Sequence, residues 1–179
     1  MNRRPHQITL SAVFLALALI LPFFTGQIPQ FGQMLLPMHL PVLICGFVCG
    51  WRQGLLVGFL APLLRSAAFG MPPLYPTAVA MAFELATYGT VTGLLQARLP
   101  RSTASLLASL VAAMLAGRIA WAAATFALTG ALTLELFLAA AFLNAWPGIV
   151  LQLLLVPPVV AGIARLVQEE PAMRGSPRR

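Results

Sequence analysis

The stretch that decides the fold is residues 27–65, QIPQFGQMLLPMHLPVLICGFVCGWRQGLLVGFLAPLLR. It begins as a loop with glutamines among apolar residues and continues as two short apolar segments, joined by a turn at residues 50–54. Glycines recur at every fourth position of these segments, at Gly46, Gly50, Gly54 and Gly58. Such spacing puts glycine on one helical face and lets a second backbone approach closely. The stretch therefore predicts a tightly packed helical hairpin in a membrane.

The composition of the chain indicates that lipid is the solvent for much of its surface. Of 179 residues, 60% are hydrophobic and 8% are charged, and the mean hydropathy is +0.90. A soluble domain of this size could not bury so much apolar surface. The net charge of +7 does not indicate nucleic-acid binding, because the arginines punctuate apolar runs and do not cluster with stacking aromatic residues.

The apolar runs predict an all-α integral membrane protein, a single domain of six transmembrane helices over residues 1–179. The segments are residues 8–24, 35–49, 51–69, 77–95, 104–128 and 136–167. The second and third are short for a full crossing, which needs roughly 20 residues. Prolines predict an irregular loop at residues 70–76 and kinks within the sixth segment. The polar tail, residues 168–179, is expected to lack regular structure.

The positions of the arginines predict the topology. Nine of the eleven basic residues fall on the side of the termini: Arg3, Arg4, Arg52, Arg98, Arg101, Arg165, Arg174, Arg178 and Arg179. The other two, Arg65 and Arg118, fall inside segments, and the opposite loops at residues 26–34, 70–76 and 129–135 contain none. The positive-inside rule therefore places both termini, with the tail, in the cytoplasm.

Ionisable residues inside the segments mark the candidate site, because burying a charge in lipid is costly. Segment four carries Glu84 and Tyr88 on one face, segment five carries Arg118, and segment six carries Asn144. Helical rise places Glu84 roughly 10 Å, Arg118 roughly 15 Å and Asn144 roughly 12 Å below the outer ends of their segments. These groups are therefore expected in one layer of the outer half of the bilayer. A Glu84–Arg118 ion pair there would either lock the bundle or contact a ligand.

Further candidates surround this layer. Gln33, Met38 and His39 lie in or directly after the first outer loop, where they would help to close a pocket, although a lone histidine is more often structural. Arg65, near the outer end of segment three, is expected to snorkel outward. Gln152, nearer the cytoplasm, is expected to make a hydrogen bond between packed helices.

The sequence shows no catalytic or metal-binding constellation. It has no nucleophile–base pair, no carboxylate pair and no phosphate-binding Gly-Lys-Ser/Thr loop. Cys45 and Cys49 lie one turn apart in an apolar segment, where two small buried side chains are the simplest interpretation. We therefore expect no enzyme activity, no cofactor, no metal and no ATP hydrolysis by this chain.

Nearly the whole chain resembles the substrate-binding S component of an energy-coupling factor (ECF) vitamin transporter. The resemblance includes the length, the six segments, the cytoplasmic termini and the long first outer loop. It also includes the runs LLPMHLPVLICGFVCG at residues 35–50, PLLRSAAFGMPP at 62–73 and AFELATYG at 82–89. Ala12 and Ala16 of segment one resemble the family's small-xxx-small motif for docking on a partner.

The resemblance implies a subunit of the bacterial inner membrane that captures a water-soluble vitamin between its outer loops and segments four to six. A separate transmembrane coupling subunit and two ATPase subunits, shared or dedicated, would supply the energy. The alternative is a stand-alone secondary transporter, which predicts a coupling-ion site and often an internal repeat. An intramembrane enzyme would need convergent catalytic groups, and an assembly protein would not need the buried polar layer.

The charge of the predicted pocket indicates the chemistry of its ligand. Arg65 and Arg118 against Glu84 leave a net positive site, with Asn144 and Tyr88 as neutral hydrogen-bonding groups. This favours a carboxylate, because a charge-assisted bond to arginine is strong in a dry site. Pantothenate and niacin fit this expectation, a neutral pyridoxine-like vitamin is the runner-up, and cationic thiamine fits worse.

Overall fold

The computed structural model describes residues 3–25, 34–100 and 102–174, and every regular element in them is helical. The α-helices are α1 (Arg3–Ile20), α2 (His39–Cys49), α3 (Trp51–Phe69), α4 (Val79–Arg98), α5 (Thr103–Thr129), the one-turn α6 (Leu134–Leu138) and α7 (Trp146–Arg174). A 3₁₀ turn at Leu21–Thr25 follows α1, and π-type turns at Leu74–Ala78 and Ala139–Leu143 precede α4 and α7.

Four helical stretches of the described chain are long and apolar enough to cross a membrane: Gln7–Phe24, Leu74–Arg98, Thr103–Thr129 and Trp146–Arg165. The other two predicted segments correspond to α2 and α3, which form a helical hairpin. With 11 residues, α2 is shorter than a full crossing, and the 19 residues of α3 include Arg52 and Arg65. The expectation of an all-helical membrane protein is confirmed, whereas six crossings stay a prediction.

Glycines bring α2, α3 and α4 into backbone contact. A Cβ atom on Gly46 of α2, or on Gly54 of α3, would lie 2.5 Å from the carbonyl oxygen of Gly89 in α4. Between α2 and α3 the chain turns at Gly50, whose φ of 92° is a left-handed conformation that favours glycine. The close approach predicted from the glycine spacing is therefore confirmed, and its partner is α4.

Four helices enclose the interior of the bundle. α2 packs against α4 and α7, and α5 packs against the same two helices, so that the four contacts close a ring. The apolar core contains residues from all four: Val42, Leu43, Cys45, Leu85, Leu110, Met114, Val156 and Val160. α1 packs on α2 and α3.

The predicted sixth segment is not one continuous helix, which corrects the expectation of kinks alone. Asn144 and Ala145 form a turn, and α7 begins at Trp146 with Pro147 in its first turn. Proline has no N–H to donate to the preceding turn, but it is well tolerated at the start of a helix. The expectation of an irregular tail from residue 168 is also wrong for its first part, because α7 continues to Arg174.

Candidate functional site

Three side chains converge on one carboxylate in the interior of the bundle. Arg118 Nη1 lies 2.8 Å from Glu84 Oε1, and the hydroxyl of Tyr88 donates to the same oxygen at 3.0 Å. The His39 Nε2 atom lies 3.7 Å from that oxygen, beyond hydrogen-bonding distance. All four side chains are buried, and Glu84 is 2% exposed. The predicted Glu84–Arg118 ion pair is confirmed.

Local sequence explains how the helices bring these groups together. Glu84 and Tyr88 are one turn apart on α4 and therefore share a face. A Cβ atom on Gly117 would collide with the Tyr88 ring, so the absence of a side chain there lets α5 carry Arg118 up to α4. His39 is the first residue of α2, and its ring centroid lies 5.5 Å from that of Tyr88.

The ion pair changes the electrostatic argument about the ligand. The formal charges of Glu84 and Arg118 cancel, and their separation of 2.8 Å permits a charge-assisted hydrogen bond. A second arginine would be needed to make the cluster net positive, but Arg65 lies elsewhere. The argument from net charge for an anionic ligand therefore does not hold for this cluster.

Several buried polar atoms of the cluster have no hydrogen-bond partner among the described residues. They are Arg118 Nη2 and both ring nitrogens of His39. Burying such groups without a hydrogen bond is costly, so polar atoms left in this way usually bind water or a ligand. The described residues contain no group of three or more His, Cys, Asp or Glu side chains that could hold a metal ion. The arrangement can therefore accept and donate further hydrogen bonds to a small polar molecule.

Arg65 occupies a separate environment at the joined ends of α1 and α3. Its Nη1 atom donates to the carbonyl oxygen of Leu19 at 2.5 Å, in the last turn of α1. The guanidinium carbon lies 4.9 Å from the ring centroid of Phe23 and 5.4 Å from that of Phe69. Arg65 is 3% exposed, so the expected snorkelling to the surface is wrong. The side chain is held by a carbonyl group and two aromatic faces.

The other predicted site residues are scattered. Asn144 lies exposed in the turn before α7, and not inside a helix as expected. Met38 is buried and directly precedes α2, next to His39. Gln33 lies outside the described residues. Substrate contacts by Met38 and Gln33 stay predictions.

Gln152 is the polar residue whose environment differs most from the sequence-based expectation. It is fully buried, and neither its Oε1 nor its Nε2 atom has a hydrogen-bond partner among the described residues. Within the described part of the chain, Gln152 does not form the helix-packing hydrogen bond expected for it. Its position in a buried stripe with Gly148, Val156 and Val160 was visible in the sequence as a four-residue spacing, but its missing partner was not.

A hydrogen bond links the proline-containing connection between α3 and α4 to the C-terminal end of α5. The hydroxyl of Tyr75 donates to the backbone carbonyl of Leu128. This contact places the Leu74–Ala78 turn beside the C-terminal turn of α5, which follows Arg118 in the chain. The connection is therefore positioned over one end of the cluster-bearing helices.

Comparison with known proteins identifies the family. Residues 6–160, which are more than half of the chain, match the family model described as "ECF transporter, substrate-specific component". Neither a curated protein nor a solved structure matches the chain significantly. The chain therefore belongs to the substrate-specific components of ECF transporters, which are substrate-binding transport subunits and not enzymes.

Proposed function

We propose that this chain is the substrate-capturing subunit of a bacterial ECF importer and binds a small water-soluble vitamin or a related micronutrient. The observation that carries the proposal is the buried cluster of His39, Glu84, Tyr88 and Arg118. A membrane bundle held by packing alone has no need of an ion pair with unpaired donors and acceptors around it. A ligand that pairs with these atoms gives the cluster a role.

The cluster supports a polar ligand without a large net charge. Arg118 is paired with Glu84, so an added carboxylate would compete with an existing ion pair. The unpaired Arg118 Nη2 donates, and each nitrogen of a neutral His39 either donates or accepts. A neutral, pyridoxine-like molecule matches this set, and pantothenate or niacin would bind through Arg118 Nη2.

The proposed topology has six crossings, with both termini in the cytoplasm of a bacterium and the protein in its inner membrane. Four long helices and the α2–α3 hairpin together give an even number of crossings if both arms of the hairpin cross. The arginine distribution then places the Leu74–Ala78 turn outside, at the end of the bundle from which substrate would enter.

The proposed docking face for the transmembrane coupling subunit lies on α1. Ala12 and Ala16 are one turn apart and exposed, whereas Phe14 and Ala18 of the same helix are buried against the bundle. Small exposed residues let a partner helix approach closely. Two ATPase subunits, bound through the coupling subunit, would supply the energy.

The experiment is affinity purification of the full chain from its native membrane, with mass spectrometry of both proteins and small molecules. We expect the coupling subunit, two ATPases and one retained vitamin. The variant Ala16→Trp should lose the protein partners and keep the vitamin, because the Ala16 side chain lies on the exposed face of α1 and not in the interior of the bundle. A chain that transports a solute in vesicles without any ATPase would instead establish a secondary transporter.

A further inference from the structure

Gln152 is a buried amide with no assigned role. Its side chain is 0% exposed, and both its oxygen and its nitrogen lack hydrogen-bond partners among the described residues. An amide in an apolar interior costs free energy unless both ends are hydrogen-bonded. The residue therefore points to a partner that the protein itself does not supply.

Gln152 lies one helical turn beyond the point where α7 touches the chain that enters α2. A Cβ atom on Gly148 would lie 2.7 Å from the carbonyl oxygen of Met34 and 2.9 Å from that of Leu35, so α7 and the chain entering α2 touch at this point. From that contact, α2 and α7 both continue into the bundle and pack on each other. Gln152 follows Gly148 by about one turn of α7, and His39 begins α2 directly after the non-helical residues 36–38.

The packing of the helices places Gln152 on the side of the ring opposite α4. α2, α4, α5 and α7 form a closed ring, in which α7 touches α2 and α5. His39 belongs to α2, Glu84 and Tyr88 to α4, and Arg118 to α5. Gln152 supplies the one buried polar side chain that α7 adds to this ring among the described residues.

We propose that Gln152 is the α7 wall of the substrate site and that its amide hydrogen-bonds the captured molecule, an inference that rests on the proposed function. An amide presents one acceptor beside one pair of donors, which is complementary to a molecular edge that carries an adjacent donor and acceptor. Together with Arg118 Nη2 and the His39 nitrogens, it selects an uncharged ligand with an amide, lactam or hydroxyl–ring-nitrogen edge.

A purely structural role makes a different prediction. If buried water satisfied Gln152, the amide would contribute to the stability of the ligand-free protein and not to ligand binding. Methionine has nearly the same length and shape as glutamine and removes both polar atoms. Replacing an unpaired polar group by an apolar one of similar shape is neutral or stabilising in the ligand-free state.

The test uses the full-length chain, purified in detergent as wild type and as Gln152→Met. The probes are nicotinamide, nicotinate, pyridoxine and pantothenate in equilibrium dialysis, together with mass spectrometry of the small molecule that the wild type retains on purification. We expect Gln152→Met to bind the best probe, and to retain the copurified molecule, at least about tenfold less well, as expected for one or two lost hydrogen bonds. Its ligand-free Tm should be unchanged or higher.

The matched control is Ser109→Ala on α5. Ser109 is 1% exposed and its hydroxyl also lacks a partner, but it lies nine residues from Arg118, which is roughly 13 Å along the helix. This variant should bind like the wild type. The variant Gln152→Asn keeps the amide but shortens it by one methylene, and should bind with intermediate affinity even if Gln152→Met folds poorly.

The outcomes separate this inference from the proposed function. Wild-type affinity in both Gln152 variants overturns the inference and assigns the amide to water, while the proposed function stands. A loss of binding in Ser109→Ala equal to that in Gln152→Met also overturns it, because any buried polar change would then have the same effect. A wild-type chain that retains no small molecule and binds none of the probes contradicts the proposed function itself.

Discussion

Arg65 and Arg118 are both buried in the helical bundle, but different kinds of partner stabilise the two guanidinium groups. Arg65 donates to the Leu19 carbonyl and lies over the rings of Phe23 and Phe69, whose centroids are 5.0 Å apart in an edge-to-face pair. Arg118 is held by Glu84 and keeps Nη2 unpaired. Two buried cations of one bundle can therefore differ in whether their environment leaves polar atoms for a further partner.

The partners of the two arginines predict a structural role for Arg65 and a binding role for Arg118. The carbonyl end of α1 is a region of partial negative charge, and aromatic faces attract cations, so the Arg65 environment links α1 to α3 without any further group. The Arg118 environment combines a carboxylate, a phenol and an imidazole, and leaves nitrogens free to exchange partners. We therefore expect a ligand to contact the Arg118 region and not the Arg65 region.

The largest expected effect comes from Arg118→Gln. The change leaves the carboxylate of Glu84 buried without its cation, and removing one partner of a buried ion pair typically costs about 3–5 kcal/mol. We expect a large fall in the Tm of the ligand-free protein and a loss of vitamin binding. Thermal unfolding in detergent and equilibrium dialysis with the retained vitamin measure the two effects.

The double variant Glu84→Gln/Arg118→Gln separates the loss of stability from the loss of binding. It removes both charges together, so most of the lost stability should return, while binding should stay weak because the donor set has changed. If this double variant bound the vitamin with wild-type affinity, the ion pair would have a structural role alone and the comparison with Arg65 would collapse.

Arg65→Met should have a smaller effect, confined to stability. Methionine keeps the apolar stem but removes the hydrogen bond to Leu19 and the two cation–π contacts, which together predict a loss of about 1–3 kcal/mol. Vitamin affinity at a temperature where the variant is folded should equal that of the wild type. Arg65→Lys, which keeps the charge without the planar guanidinium, should fall between the two in Tm. A loss of affinity in Arg65→Met would place this residue in the site after all.

The sequence predicted well what depends on spacing within one helix or between neighbouring ones. The glycine stripe from Gly46 to Gly58 indicated close backbone contact, and the matched depths of Glu84 and Arg118 indicated their ion pair. These predictions held because helical rise and the cost of a buried charge are properties of any membrane helix.

The sequence could not predict which tertiary partner completes each group. The position of Arg65 near the outer end of segment three predicts snorkelling outward, but its partners, a main-chain carbonyl and two aromatic rings, leave no signature in the sequence. The apolar run continues through Asn144 and predicts a helix there, although Pro147 lies where a new helix begins. The sequence predicts a hydrogen bond from Gln152 to a packed helix, and the lack of such a partner among the described residues is a property of the packed bundle.

The smallest expected effect is that of Asn144→Ala, the matched contrast to Gln152→Met. Asn144 lies exposed in the turn before α7, and surface substitutions away from special features usually change stability by less than about 0.5 kcal/mol. Its backbone N–H donates to the Ala139 carbonyl at 2.9 Å, and alanine retains that bond. We therefore expect a Tm and a vitamin affinity within error of the wild type, measured in parallel with the Gln152 variants. If affinity fell tenfold in Asn144→Ala and stayed unchanged in Gln152→Met, the turn and not the helix interior would form the α7 side of the site. The ligand contacts would then include an exposed residue, and burial would no longer distinguish the binding residues from the structural ones.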